Sequence, residues 1–142
     1  MKKVVFICNG NILRSQIAKA LYNKLAKDGS IAYSYGTRVE AKGRQGILIS
    51  SVKGMNVTIN ELMKQGIDIS NERCDELKEE YLKSVDKIVV MADKEYIPLW
   101  LNNYKYEYWE IINPDYFGSK IAKDVIESIK EKVLELINSC KT

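Results

Sequence analysis

The sequence predicts one α/β domain, a parallel sheet with helices on both faces. Short runs rich in β-branched residues alternate with stretches of helical spacing. The first run, Val4-Val5-Phe6-Ile7, is apolar throughout, as a strand buried on both faces must be. No repeat, low-complexity tract or linker divides the chain, so residues 1–142 are read as a single domain.

The elements follow in order. After Val4 to Ile7, apolar side chains at Ile17, Leu21 and Leu25, backed by Ala18 and Tyr22, give a helix over 15–27 that Asp28-Gly29 ends. Ile31 to Ser34 forms a second strand, closed by Gly36. Residues 37–57 carry weak periodicity and are expected to form a long surface loop with at most one helical turn. Thr58-Ile59-Asn60-Glu61 has the form of a capping box and opens a short helix that Gly66 closes. A further helix is expected from about Glu72 to Leu82. Lys87 to Met91 is a third buried strand, and Asp93 caps a helix running to about Leu101. Tyr108 to Ile112 is the last strand. The longest helix, 120–138, places Ile121, Val125, Ile129, Val133 and Ile137 at four-residue steps.

Composition excludes several classes of function. The 22 basic and 19 acidic residues leave a net charge of +3, too little to predict nucleic-acid or membrane binding. The N-terminal apolar run stops at Asn9-Gly10-Asn11, short of a signal core or a membrane span, and a cytoplasmic protein is expected. Cys8, Cys74 and Cys140 are far apart and odd in number, which argues against a disulfide framework. With no histidine and no C-x-x-C pair, neither a metal site nor a cofactor is expected. Paired acids for magnesium do not follow the first strand either.

In parallel α/β folds the ligand sits beyond the carboxyl ends of the strands, which directs attention to Cys8. Cys8-Asn9-Gly10-Asn11-Ile12-Leu13-Arg14-Ser15 is a C-x5-R spacing followed by a hydroxyl. A phosphoryl group has three non-bridging oxygens to be met in line with a nucleophile. Backbone N–H groups of a tight loop at a helix N-terminus supply donors, and Gly10 is expected to let that loop turn. Arg14 adds a planar fork matching two oxygens, which lysine does not copy. Positive surroundings favour the thiolate of Cys8, with Ser15 donating a further hydrogen bond to sulfur. The residues alone leave a second reading open: a small buried cysteine at a strand end, a turn and a surface arginine.

The segment Val5 to Ala18 resembles the low-molecular-weight protein tyrosine phosphatase family, whose loop reads C-x-G-N-x-x-R-S; Cys8, Gly10, Asn11, Arg14 and Ser15 match it. Ser34-Tyr35-Gly36-Thr37, Gly66-Ile67-Asp68-Ile69 and the stretch from Asp86 to Asp93 match further family motifs. The resemblance implies a four-stranded parallel sheet of order 2-1-3-4, a phosphocysteine mechanism without metal, and a phosphorylated protein or small aryl phosphate as substrate. Asn9, Gly10, Asn11, Ile12, Leu13, Arg14 and Ser15 would form the phosphate loop, Cys8 and Arg14 would be catalytic, and Asn11 would brace the loop through its side chain. Ile12 is common in tyrosine-directed members, where arginine-phosphate members carry Thr.

Four positions depart from the pattern. Leu13 replaces a second cysteine, Gln16 replaces proline in what is expected to be a minor change, and Tyr35 replaces alanine. The family's Asp-Pro general acid is here Asn113-Pro114, and an amide is no proton donor. Asp115, the nearest carboxyl on the same stretch, is the expected acid; an ordinary turn aspartate is the alternative. Tyr116 and Phe117 fit either an aromatic wall or loop packing. Two rival functions follow: a phosphate-binding module that has lost its acid, and a thioredoxin-coupled arsenate reductase. The reductase needs two more cysteines just after the third strand, where Val90, Met91 and Ala92 stand, and Cys74 precedes that strand.

Overall fold

A computed structural model describes residues 3–113 and 118–139. Its regular elements are β1 (Lys3–Cys8), α1 (Arg14–Leu25), β2 (Ile31–Gly36), α2 (Met55–Met63), β3 (Lys87–Val90), β4 (Glu107–Tyr108) and α3 (Ser119–Ser139). The sheet runs β2-β1-β3-β4, all parallel, as expected. Cys8 pairs with Gly36 and Ile7 with Val90, so the three longer strands end together at one rim.

Alternation along β1 divides the core. Val4, Phe6 and Cys8 face α1 and α3, packing with Ile17, Leu21, Ile129 and Val133; Val5 and Ile7 face the other side, against Leu77, Leu82 and Leu101. The long α-helices lie on the first face, and 3-10 turns at Glu79–Leu82 and Leu99–Asn103 cover the second. Both faces are thus shielded from water, which explains why β1 is apolar at every position from Val4 onward. At the exposed edge, the Asn23 side chain takes up the free backbone of β2. Its Nδ2 donates to Ala32 O at 3.2 Å, and its Oδ1 accepts from Ala32 N at 2.8 Å.

In α3 the four-residue steps overshoot. Four residues advance about 40° beyond a full turn, so the stripe drifts across the face. Val125, Ile129 and Val133 are buried, but at the ends Ala122, Ile126 and Leu136 take over from Ile121 and Ile137, which pack only in part.

Four expected elements differ. The helix at Thr58 begins three residues earlier, at Met55, behind Gly54 with φ 91. Thr58 is therefore inside the helix and buried, and Glu61 instead accepts from Lys64 Nζ and Ser119 Oγ, each at 3.0 Å, joining α2 to the start of α3. Gly66 closes the helix as expected, at φ 78. The stretch from Glu72 is extended up to the 3-10 turn, because its backbone is used sideways. Leu77 N donates to Gly36 O and Gly36 N to Asp75 O, while Arg73 bridges Leu48. Pairing with the sheet edge outweighs helix propensity here. Between Asp93 and Leu101 two 3-10 turns replace the helix, since Pro98 lacks a donor and clashes with the preceding turn. The last strand is two residues long and lies at Glu107–Tyr108; Trp109 N still bonds Val90 O at 2.9 Å.

Among the described residues, no helix is long and apolar enough to cross a membrane, and no three His, Cys, Asp or Glu side chains cluster to hold a metal.

Candidate active site

The loop between β1 and α1 is held from below by β2. Thr37 N donates to Cys8 O at 2.9 Å and Arg38 N to Asn9 O at 2.8 Å. Gly36 passes so close that a Cβ there would meet Asn9 O at 2.6 Å, Val39 Cγ2 at 2.7 Å and Asn11 N at 2.8 Å. The glycine this loop requires is therefore Gly36. Gly10, expected to provide the turn, lies outside the left-handed region, and a Cβ there would make only ordinary contact with Ile12 Cδ1 at 3.4 Å. The left-handed position in the loop is Asn11, at φ 53, a conformation asparagine tolerates better than most residues.

Asn11 is fully buried and its side chain ties four segments together. Nδ2 donates to Ser15 Oγ at 2.9 Å and Ser34 Oγ at 3.0 Å; Oδ1 accepts from Asp75 N at 2.8 Å and from Gln16 Nε2 at 3.3 Å. Gln16, also fully buried, donates as well to Asn11 O and Arg73 O, both at 3.1 Å. Its place in the first turn of α1 is thus a larger change than expected: the amide stitches the loop to the extended stretch around Arg73.

Cys8 Sγ lies 3.0 Å from Ser15 Oγ. Arg14 is buried, and its Nη1 donates to Met91 O and, at 3.3 Å, to Ile111 O, with Asp93 Oδ1 at 3.5 Å. Its Nε is buried without a hydrogen-bond partner among the described residues. One edge of the guanidinium is therefore anchored at the ends of β3 and β4, while the edge bearing Nε is left for another acceptor. Asn9 and Asp93 form a reciprocal pair: Asn9 Nδ2 donates to Asp93 Oδ2 at 2.8 Å, and Asp93 N donates to Asn9 Oδ1 at 2.9 Å.

Cys8, Asn9, Gly10, Ile12, Leu13 and Arg14 line one cavity of about 470 Å³. Asn11 and Ser15 lie beneath it. Arg38, Lys42, Arg44, Lys53, Asp93, Tyr96 and Asn113 join the lining; of these the sequence had singled out Asn113, as the residue in the acid's place, and Asp93, as a helix cap after the third strand. The signal for the cations was present: residues 37–53 hold these four basic side chains against one acid, Glu40. Asp115, Tyr116 and Phe117 lie outside the described residues, as does Cys140. Cys74 is buried in the apolar core, and that burial pushes its thiol up from its ordinary range. Tyr35 stacks on Tyr81, with ring centroids 4.8 Å apart, and takes no part in the cavity.

Residues 3–142 match the family described as low molecular weight phosphotyrosine protein phosphatase. Arsenate reductase 2 of Staphylococcus haemolyticus is 33% identical over 145 residues, covering 99% of this chain and 97% of that protein. An arsenate reductase solved in a phosphate-binding state superposes with a TM-score of 0.77 at 25% identity, covering 98% of each chain. Vibrio vulnificus Wzb, solved with benzylphosphonate, has the same fold, with a TM-score of 0.82 at 18% identity over 97% of this chain and 98% of its own. The chain belongs to the low molecular weight phosphotyrosine protein phosphatase family, which includes arsenate reductases and arginine phosphatases.

Proposed function

We propose that the protein is a metal-independent phosphomonoester hydrolase acting on phosphotyrosine, with Cys8 as nucleophile. The observation that carries this reading is the Arg14 guanidinium, fixed by backbone carbonyls on one edge and holding a buried, unpartnered Nε in the cavity that Cys8 lines. A planar fork so placed suits two oxygens of a phosphoryl group.

Cys8 Sγ attacks phosphorus as the bond to the leaving oxygen breaks, forming an S–P bond. Arg14 and the backbone N–H groups of residues 9–15 neutralise the charge on the equatorial oxygens. Ser15 Oγ, at hydrogen-bond distance from Sγ, stabilises the thiolate. Asp115 delivers its proton to the departing phenoxide. A water then attacks phosphorus, gives its proton back to Asp115, and releases phosphate and the thiolate. Ile12 and Leu13 offer apolar lining for the phenyl ring.

Arsenate reduction is the second reading, favoured by the 33% identical relative. Against it, the ends of β3 and the residues beyond carry Val90, Met91 and Ala92, with no cysteine to relay a disulfide outward. Two assays separate the readings: hydrolysis of an aryl phosphate in chelator, with and without vanadate, and arsenate-dependent NADPH oxidation in the presence of thioredoxin and its reductase. Hydrolysis blocked by vanadate and abolished in Cys8→Ser is the expected result. Arsenate reduction without hydrolysis overturns the proposal. Phosphate-analogue binding with neither activity makes the protein a binding module.

A further inference from the structure

The cavity above Cys8 holds more positive charge than one phosphoryl group requires. Beyond Arg14, four cations line it: Arg38, Lys42, Arg44 and Lys53, all from the connection between β2 and α2. None of the four has an ion-pair partner among the described residues. Among the described residues, the one carboxylate in the lining, Asp93, is already engaged by Asn9 and Arg14.

The segment bearing these cations is fastened in place. Arg38 N bonds Asn9 O, Arg44 N bonds Val39 O at 2.9 Å, Gly46 N bonds Cys74 O at 2.8 Å, and Val39 is fully buried. The Arg38 guanidinium lies 4.3 Å from the centroid of Tyr96, which also lines the cavity, and its Nε is buried without a hydrogen-bond partner among the described residues. Arg38 and Arg44 are half-buried, whereas Lys42 and Lys53 are exposed. The charges therefore extend outward from the phosphate cradle to the surface. An anion that met all of them must itself continue beyond the mouth, as a polypeptide does and a compact diphosphate does not.

We infer that the residues 38–53 form an acidic-peptide subsite, which selects phosphotyrosine segments flanked by Asp or Glu. This rests on the hydrolase reading above and names its substrate class. Complementary charge at a rim acts on encounter and selectivity, and several exposed pairs together give about a tenfold preference at low salt. Screening shortens from about 10 Å at 0.1 M to about 3 Å at 1 M salt, so the preference must shrink with ionic strength.

The test uses phosphotyrosine peptides of equal length with acidic, neutral or basic flanks. The readout is the ratio of kcat/KM for acidic over neutral peptide within one protein, which cancels any general loss of turnover or folded fraction. A ratio of about ten at low salt is expected, falling toward one at 1 M salt and in K42Q/R44Q/K53Q. Binding of the same peptides to Cys8→Ser, followed by fluorescence anisotropy, reads the subsite without the chemistry. Wild-type turnover of aryl phosphate with a ratio near one overturns the subsite and leaves the reaction standing. No turnover by the wild type, with tighter binding of the acidic peptide, overturns the reaction and supports the subsite. A ratio unchanged in the triple variant, or stronger inhibition by inorganic pyrophosphate than by the acidic peptide, overturns the assignment.

Discussion

Gly36 and Asn9 touch backbone to backbone: a side-chain carbon on Gly36 would lie 2.6 Å from the Asn9 carbonyl oxygen. The end of β2 is thus a template against which the loop after Cys8 is pressed. Gly36→Ala is expected to lower stability by about 1–3 kcal/mol, because the clash is with backbone that cannot rotate away. The loop must also shift, so kcat/KM for an aryl phosphate should fall alongside the denaturation midpoint. Gly10→Ala should be far milder in both measurements, since its Cβ has room. Equal effects at the two positions would mean that β2 does not shape the loop.

Arg14→Lys keeps the charge and loses the fork. One ammonium cannot hold the carbonyls of Met91 and Ile111 and also span two phosphoryl oxygens. A fall of about 10²-fold or more in kcat/KM is expected. A loss under about threefold would show that arginine does not organise the transition state.

How far the sequence could be read depended on the range of the contacts. The apolar run of β1, the segment from Cys8 to Ser15 and the helix α3 are local patterns, and each appears where expected, although the stripe of α3 holds only at its centre, Val125, Ile129 and Val133. Elements decided by distant partners were not legible. Glu72 to Leu82 has helix-compatible residues, but its amides are used by Gly36 and by the loop around Ile47, which no local pattern announces. Pro98 was the one local warning against a helix from Asp93 to Leu101. In the site, the loop residues were visible as a motif, whereas the bracing by Gly36, Gln16 and Asp93 is a matter of three-dimensional contact. The cations of residues 38–53 were countable in the sequence, but not their common direction.

The thiols should differ sharply in reactivity. Cys8 opens on a cationic cavity, whereas Cys74 is enclosed by the apolar core, where burial raises its pKa and withholds the thiolate. In a Cys140→Ser background, iodoacetate is expected to modify Cys8 alone, and inorganic phosphate should slow the reaction. Cys74 should react only after denaturant is added. Peptide mass mapping reads the site of modification; labelling of Cys74 at a rate comparable to Cys8 would contradict the assignment.

The proton donor is the step that rests most on the sequence. Asn113 lines the cavity where the family's acid is expected, and its amide has no proton to give. Asp93, the carboxylate in the described lining, has both its oxygens engaged, Oδ2 by Asn9 Nδ2 and Oδ1 facing Arg14 Nη1, so it is tied to the floor of the site and not directed at a leaving group. Asp115, two residues after Asn113, therefore carries the role in the proposed mechanism. Asp115→Asn should slow hydrolysis of a substrate with a basic leaving group by about 10²-fold or more. An activated aryl phosphate, whose leaving group departs without a proton, should respond much less. Both substrates responding equally and weakly would leave Asp115 as a turn residue. Asn113→Asp then decides between the remaining possibilities. A large gain on the basic leaving group would show that the natural protein works without a dedicated acid, and that its rate is limited by departure of the leaving oxygen.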